Sequence, residues 1–228
     1  MRQRRASADF SSWGSSHERY DFHICPGGLN VTVFVTYMKK PGLRPLYDLV
    51  AAQGGYFTTA QAKALGVSRR ALAYRVEIDD LVRIEYGIYR LAHYPSEPFE
   101  DVIVACLWAG EDSAASHETA LAVYGLADAM PANIHITIPG PFRGRRRGVI
   151  VHRAPLGDNQ RTVRDGVPVT TVERTLTDVA HSSEATTVAA AAQQSLSRGL
   201  ISARRLKKLA AGSDVLERAL THLFSRAG

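Results

Sequence analysis

Apolar and polar positions follow a helical period through residues 43–78 and a strand period through 81–91. The helical part divides into three short segments, because glycine-containing turns at 54–55 and 66–67 interrupt it. The strand part is broken by Tyr-Gly at 86–87, which predicts a hairpin. Three short helices followed by a β-hairpin are typical of a winged helix-turn-helix. Such a unit presents one helix to the DNA major groove and places the hairpin beside it.

The third helical segment, from Arg69 to about Ile78, is predicted to be the recognition helix. Ser68 is its expected N-cap, and its first two turns carry the polar side chains that reach base edges and phosphates. Side chains at the start of the second helix and on the hairpin are expected to reach flanking phosphates. Arg75 falls on the apolar side, so its stem is expected to pack and its head to reach solvent. The predicted DNA-contacting set is Thr59, Gln61, Ser68, Arg69, Arg70, Tyr74, Arg83 and Arg90.

The remaining pattern predicts a mixed second part after a proline-containing linker at 94–98. Helical periods are expected near 99–108, 116–125, 184–198, 202–211 and 214–224, with strands at 133–139, 148–153 and 167–171. A further helix is expected to follow the third strand and to continue through Leu176 and Val179. Thr170 and Glu173 have the spacing of a capping box. The expected fold class is α+β, an N-terminal winged helix-turn-helix followed by a mixed helical domain with a small β-sheet.

Three regions are predicted along the chain. Residues 1–40 have the composition of a disordered or weakly ordered leader, residues 41–94 form the winged helix, and residues 95–228 form the α+β domain. A second hypothesis starts translation at Met38, because the organised pattern begins just after it.

The positive charge of the chain fits a polyanionic partner and equally fits a soluble, slightly basic protein with no such partner. The net charge is +6, and 23 of the 28 basic residues are arginine, whose planar head suits phosphates and guanine edges. The densest cluster lies between two predicted strands and consists of Arg143, Arg145, Arg146 and Arg147. It is a candidate second nucleic-acid contact or a dock for an acidic partner. The alternative is a solvated, mobile hairpin loop, which the flanking glycine and proline favour.

Several kinds of chemistry find no support in the sequence. His117-Glu118 opens like a zinc-protease motif, but Leu121 stands where the second histidine belongs. The eight histidines have no ligand spacing, and neither a phosphate loop, a nucleophile elbow nor a Glu-x-Lys nuclease pattern occurs. No catalytic residue, metal or cofactor is therefore expected. With two distant cysteines and no apolar run long enough for a membrane span, a reducing cytoplasm is the expected location. Arg174 and Asp178, four residues apart, are expected to form a structural pair.

Four segments together carry a family resemblance. They are GYFTTAQAKALGVSRRALAYRV with the hairpin LVRIEYGIYRL, then AASHETALAVYGL, then IHITIP followed by VIVHRAP, and finally VPVTTVERTLTDVA with SRGLISARRLKKLA behind it. In this order, across about residues 43–211, the chain resembles the AbiEi-type antitoxins of type IV toxin–antitoxin systems of abortive infection. The chain departs from the family at Asp79, where glycine is common, and at Tyr86, where arginine is common.

The resemblance implies a winged helix that binds inverted repeats in operator DNA and represses its own operon. It also implies a C-terminal domain that counters a cognate toxin of nucleotidyltransferase fold. By match to the family motif, Ser68, Arg69, Arg70 and Tyr74 read the DNA, and paired half-sites favour a homodimer. Two alternatives stay open: a winged-helix regulator that acts through a protein partner, and an enzyme such as a degenerate nuclease.

Overall fold

The structure is a computed structural model and describes residues 44–95 and 98–225. These residues all belong to one compact unit, residues 40–228. The predicted leader at 1–40, the alternative start at Met38 and Cys25 lie outside the described residues.

The first part of the described chain is a winged helix-turn-helix. Its elements are α1 (Arg44–Ala52), β1 (Tyr56–Thr58), α2 (Thr59–Ala64), α3 (Arg69–Glu77), β2 (Leu81–Glu85) and β3 (Ile88–Leu91). The three strands form an antiparallel sheet in the order β1-β3-β2. The hairpin has the predicted bounds, whereas β1 was not predicted, because three residues are too few to display a period of two.

Side-chain caps explain why the two helices of the helix-turn-helix begin where they do. The Thr58 hydroxyl accepts a hydrogen bond from the backbone N–H of Gln61, and the Gln61 side-chain oxygen accepts one from the backbone N–H of Thr58. Ser68 caps α3 by accepting from the backbone N–H of Ala71 at 3.1 Å. After α3, Asp79 adopts a left-handed φ of 57°, a conformation that glycine adopts at no steric cost.

The second part joins six helices to a five-stranded sheet within the described residues. Its elements are α4 (Glu100–Ala109), β4 (Ala114–Ala115), α5 (His117–Tyr124), β5 (Ile134–Ile138), β6 (Val149–Arg153), a 3₁₀ turn (Asp158–Gln160), β7 (Arg161–Arg164), β8 (Val167–Thr170), α6 (Val172–Ser182), α7 (Ala185–Ser197), α8 (Ala203–Ala210) and α9 (Asp214–Ser225). The sheet order is β6-β5-β4-β8-β7. The predicted α+β class is confirmed.

Two expectations about this second part are wrong. β5 and β6 pair in parallel, so residues 139–148 run back along the sheet instead of closing a hairpin. The capping box at Thr170 and Glu173 does not form, because α6 begins one residue later, at an N-cap Thr171 with no side-chain cap. The Thr170 hydroxyl instead lies 2.7 Å from the Thr175 hydroxyl in the core.

One apolar core extends from the wing sheet into the second part. Tyr56 of β1 and Ile88 of β3 belong to the same cluster of buried side chains as Val102 and Ile103 of α4. Leu121 and Leu176 are fully buried deeper in that cluster. Because the shared core removes apolar surface of both parts from water, we expect the winged helix to be held firmly on the sheet.

Candidate functional site

The exposed end of α3 carries the central residues of the predicted DNA-contacting set. Arg69 and Arg70 are exposed in its first turn, and Tyr74 follows one turn later with 54% of its surface exposed. Within residues 44–95 and 98–225, neither guanidinium forms a hydrogen bond or ion pair. Ser68 is also exposed, but its hydroxyl already caps the helix. The face therefore presents two cationic side chains and one aromatic side chain to solvent.

Arg75 differs from its neighbours on α3. Its Nη1 lies 3.0 Å from Asp80 Oδ2 and 3.4 Å from the Tyr47 hydroxyl, and only 14% of its side chain is exposed. The expectation that its head reaches solvent is wrong, because Asp80 supplies a partner at the end of the helix.

Thr59 and Gln61 make contacts that fix the start of α2. The Thr59 hydroxyl donates to the Gly87 carbonyl at 3.3 Å, which joins α2 to the tip of the hairpin. The Gln61 side chain accepts from the Thr58 backbone and donates to Gln53 at 3.0 Å. Both side chains form hydrogen bonds within the protein, and these bonds position α2 against the wing.

The two arginines of the hairpin have different surroundings. Arg83 is exposed, and its guanidinium carbon lies 5.5 Å from the ring centroid of Tyr86, which is 88% exposed at the tip. Arg90 is 19% exposed, donates to the Tyr94 carbonyl at 2.8 Å and lies 3.4 Å from Glu100. The Arg90 head is thus held inside the fold, whereas that of Arg83 is available at the wing tip.

The arginine cluster at 143–147 lies beside the wing, a proximity that sequence spacing does not reveal. Arg146 Nη2 donates to Glu85 Oε1 at the end of β2 over 2.7 Å. On the other side, the Phe142 ring meets Trp108 of α4 edge-to-face, with centroids 4.9 Å apart. These two anchors hold the segment in place and leave three arginine side chains exposed: Arg143, Arg145 and Arg147.

A concave surface of about 410 Å³ lies within this basic segment. It is lined by Phe142, Arg143, Gly144, Arg145, Arg146, Val149, Val151 and Arg153. Four arginines around one depression concentrate positive potential and suit a phosphate or another anion.

The structure also brings together three histidines, which sequence reasoning treated as scattered. His117 opens α5, His135 lies on β5 and His152 lies on β6, and one ring nitrogen from each falls within 4.8 Å of the others. His135 Nδ1 is 3.0 Å from His152 Nε2, and the rings of His117 and His152 stack with centroids 3.7 Å apart. The eight histidines have no ligand spacing along the chain, and the fold alone brings these three together.

Strand register explains the cluster. His152 pairs with Thr137 across the parallel strands, and Thr137 lies on the same face of β5 as His135. His117 joins them because Ser116, just before it, donates its backbone N–H to the His135 carbonyl at 2.9 Å. The three residues lie 17 and 18 positions apart, so only the tertiary fold unites them.

Burial and neighbouring imidazoles favour the neutral forms of His117 and His152. Burial lowers the pKa of His117 to about 4, with His152 acting in the same direction. Burial, followed by His135, also lowers the pKa of His152. Glu118 lies against the cluster, with its Oε2 3.4 Å from His135 Nδ1. Burial alone would raise the pKa of Glu118, but hydrogen bonds led by that from Ser183 outweigh it, so the net shift is downward.

His117 also lines a cleft of about 840 Å³ between α6 and α8. The predicted pair of Arg174 and Asp178 lies in this cleft, with Arg174 Nε 2.7 Å from Asp178 Oδ1. Arg174 also donates to the Pro155 carbonyl at 2.7 Å, which ties α6 to the segment after β6. Burial raises the pKa of Asp178 in spite of Arg174. His181 and Lys208 line the same cleft.

Comparison with known families gives two matches that do not overlap. Residues 44–92 match the model described as "Transcriptional regulator, AbiEi antitoxin". Residues 113–224 match the model described as "AbiEi antitoxin C-terminal domain". Together the two ranges cover well over half of the chain. No helix in the described ranges has the length and apolar character needed to cross a membrane.

Among solved structures, the crystal structure of the RV2827C protein from Mycobacterium tuberculosis is similar to this chain at 16% sequence identity. The similarity covers 78% of this chain and 70% of that one, with a TM-score of 0.39. None of the curated proteins matches the chain.

Proposed function

Because this chain belongs to the AbiEi antitoxin family, we propose that it is a DNA-binding antitoxin that represses its own toxin–antitoxin operon. In this proposal it also counteracts a cognate toxin of nucleotidyltransferase fold and works in the cytoplasm without acting as an enzyme. One observation carries the DNA-binding half: Arg69 and Arg70 extend into solvent from the first turn of α3.

The proposed DNA surface has a centre and a flank. At the centre, α3 enters the major groove and Arg69, Arg70 and Tyr74 contact base edges or phosphates. At the flank, Arg83 at the wing and the exposed arginines of the 143–147 segment contact the backbone. The ion pair between Glu85 and Arg146 supports this arrangement, since it sets the second basic segment beside the wing. Thr59, Gln61, Ser68 and Arg90 act as positioning residues for this surface.

Salt-dependent binding to the promoter of its own operon tests the proposal. Each phosphate contact contributes about 0.9 to the slope of log K against log salt, and each base contact contributes about 1–3 kcal/mol. Arg69→Ala with Arg70→Ala should weaken binding at least tenfold and reduce the slope by up to about 1.8. The matched control is Arg204→Ala with Arg218→Ala on α8 and α9, which removes the same charge and should bind like wild type.

The flank has its own test. Replacing Arg143, Arg145 and Arg147 by alanine should reduce the salt slope without altering the preference for operator over random DNA, because phosphate contacts carry no sequence information.

If the α3 double variant binds the promoter as tightly as wild type, the assigned surface is wrong.

The antitoxin half is tested separately by growth rescue. Co-expression of the chain with the product of the adjacent gene should restore growth that the adjacent gene alone arrests. Rescue by the α3 double variant would assign neutralisation to another surface. Failure of wild type to rescue would overturn the antitoxin role and leave DNA binding standing. Inverted repeats in the operator would place two copies on the DNA.

A second candidate function, regulation through a protein partner, is favoured by exposed apolar side chains next to the wing. Ile78 is 46% exposed, and on the edge strand β2 Val82 is 42% exposed and Ile84 37%. An exposed apolar edge is typical of a protein contact. Co-purification with a neighbouring gene product, together with no DNA binding at low salt, would support regulation through a protein partner.

A further inference from the structure

The cluster of His117, His135 and His152 brings three imidazole nitrogens close enough to bind one metal ion. Imidazole nitrogens from α5, β5 and β6 all lie within 4.8 Å of one another. A zinc ion holds imidazole nitrogens at about 2.0–2.1 Å in tetrahedral geometry, which sets neighbouring nitrogens about 3.4 Å apart. The present spacing of 3.0 Å between His135 and His152 is already close to that value. Rotation of the stacked His117 ring would bring the third nitrogen to the same point.

The surroundings of the cluster resemble the outer shell of a metal site. Ser116 Oγ lies 3.0 Å from Nδ1 of His117 and orients that ring, so that Nε2 is left as its donor. Glu118 supplies a carboxylate beside His135, and Ser182 and Ser183 hold its other oxygen. Glu118 Oε2 is buried and has no hydrogen-bond partner among the described residues. A buried carboxylate oxygen of this kind would balance the charge of a dication.

Backbone geometry at His117 points the same way. His117 has a left-handed φ of 51°, a conformation that is uncommon outside glycine, although histidine is among the residue types that adopt it more often. Residues held in such conformations concentrate at sites that bind ligands. The conformation places the ring against His152 at the mouth of the cleft between α6 and α8, which gives an ion a path from solvent.

We propose that His117, His135 and His152 form a binding site for a first-row transition-metal dication such as Zn²⁺, with Glu118 as its charge-balancing neighbour. Imidazole donors suit Zn²⁺, Cu²⁺ and Ni²⁺, whereas Mg²⁺ and Ca²⁺ prefer oxygen ligands. The ion would join the start of α5 to β5 and β6. The site is independent of the proposed DNA surface and would stand if DNA binding failed.

The test is metal binding by the full chain, purified without a histidine tag. To isolate the cluster, His17 and His23 are first replaced by glutamine. Titration with Zn²⁺ should then give one ion per chain, with a Tm that rises with the Zn²⁺ concentration and does not respond to Mg²⁺. Co²⁺ should give the visible absorption of a low-symmetry site, which reports coordination directly.

Two variants decide between the cluster and other ligands. His152→Gln should weaken Zn²⁺ binding at least 100-fold and abolish the Co²⁺ spectrum. His181→Gln is the matched control, because His181 lines the same cleft but its Nδ1 lies 2.9 Å from the Thr177 carbonyl. Equal losses in both variants, or one-to-one binding that survives His152→Gln, would overturn the proposal. If His152→Gln fails to fold, the wild-type Co²⁺ spectrum decides, and the absence of visible absorption refutes the site.

Discussion

Replacing Gly166 by alanine should loosen the contact between the winged helix and the sheet. Gly166 lies in the turn between β7 and β8 with a φ of 74°. A Cβ built there would meet Gly54 N at 2.7 Å and Gly54 Cα at 2.9 Å, in the turn that follows α1. Both atoms belong to the backbone, so no side-chain rotation relieves the overlap, and the two parts must move apart.

The magnitude follows from two contributions. An alanine in the left-handed region costs about 1–2 kcal/mol. Forcing a methyl group into a closed contact adds about 1–3 kcal/mol. Gly199 isolates the first contribution, because its φ is 67° and a Cβ there meets no atom of the described residues within 4 Å. Gly199→Ala should therefore lower the free energy of unfolding by about 1–2 kcal/mol, and Gly166→Ala by about 2–5 kcal/mol.

Urea unfolding of the two variants and wild type, followed by circular dichroism, measures the difference. For a protein of this size, 1 kcal/mol corresponds to a Tm shift of about 2–4 °C, so a thermal scan checks the same ranking. In limited proteolysis, the Gly166→Ala variant should also be cleaved faster than wild type near the turn at 53–56. If both variants lose the same free energy, the close packing of Gly166 on Gly54 is not a feature of the folded protein.

Two further predictions concern the ion pair at the wing and the buried thiol. A double-mutant cycle of Glu85→Ala and Arg146→Ala should give a coupling of about 0.5–1 kcal/mol in the free energy of unfolding, because both side chains are partly exposed; additive losses would mean that the basic segment is not tied to the wing. Burial raises the pKa of the Cys106 thiol from 9.0 to about 12. Between these two pH values the Cys106 thiol therefore stays protonated in the folded chain but ionises in the unfolded chain. Its contribution to the free energy of unfolding is complete below pH 9 and declines between about pH 9 and 12. In Cys106→Ala the decline between pH 7.5 and 10.5 should be smaller by about 2 kcal/mol, and equal declines in the two proteins would contradict the assignment.

Local sequence signals were sufficient for the winged helix. Glycine turns separated the helices, Ser68 was recognised as a cap, and the Tyr-Gly turn fixed the hairpin, because each signal acts within a few residues. Signals of the same range failed where a distant partner decided the outcome. Arg75 turned inward, where the Tyr47 hydroxyl of α1 lies 3.4 Å from its guanidinium and Asp80 lies 3.0 Å from it. The apolar side chains of Leu65 and Ile78 are exposed at 36% and 46%. The short strand β1 exists because β3 offers it a hydrogen-bonding edge.

Sequence by itself determined the α+β class, the order of the described helices and the family, since these depend on hydrophobic period, turn residues and motif order. It also placed Arg69, Arg70 and Tyr74 on the polar side of α3. Only the tertiary structure decided that β5 and β6 run in parallel, that Arg146 reaches Glu85 and that three histidines share one point. The physical reason is common to all three. Strand direction and register are set by packing over the whole sheet, and they bring together residues whose separation along the chain carries no signal of contact.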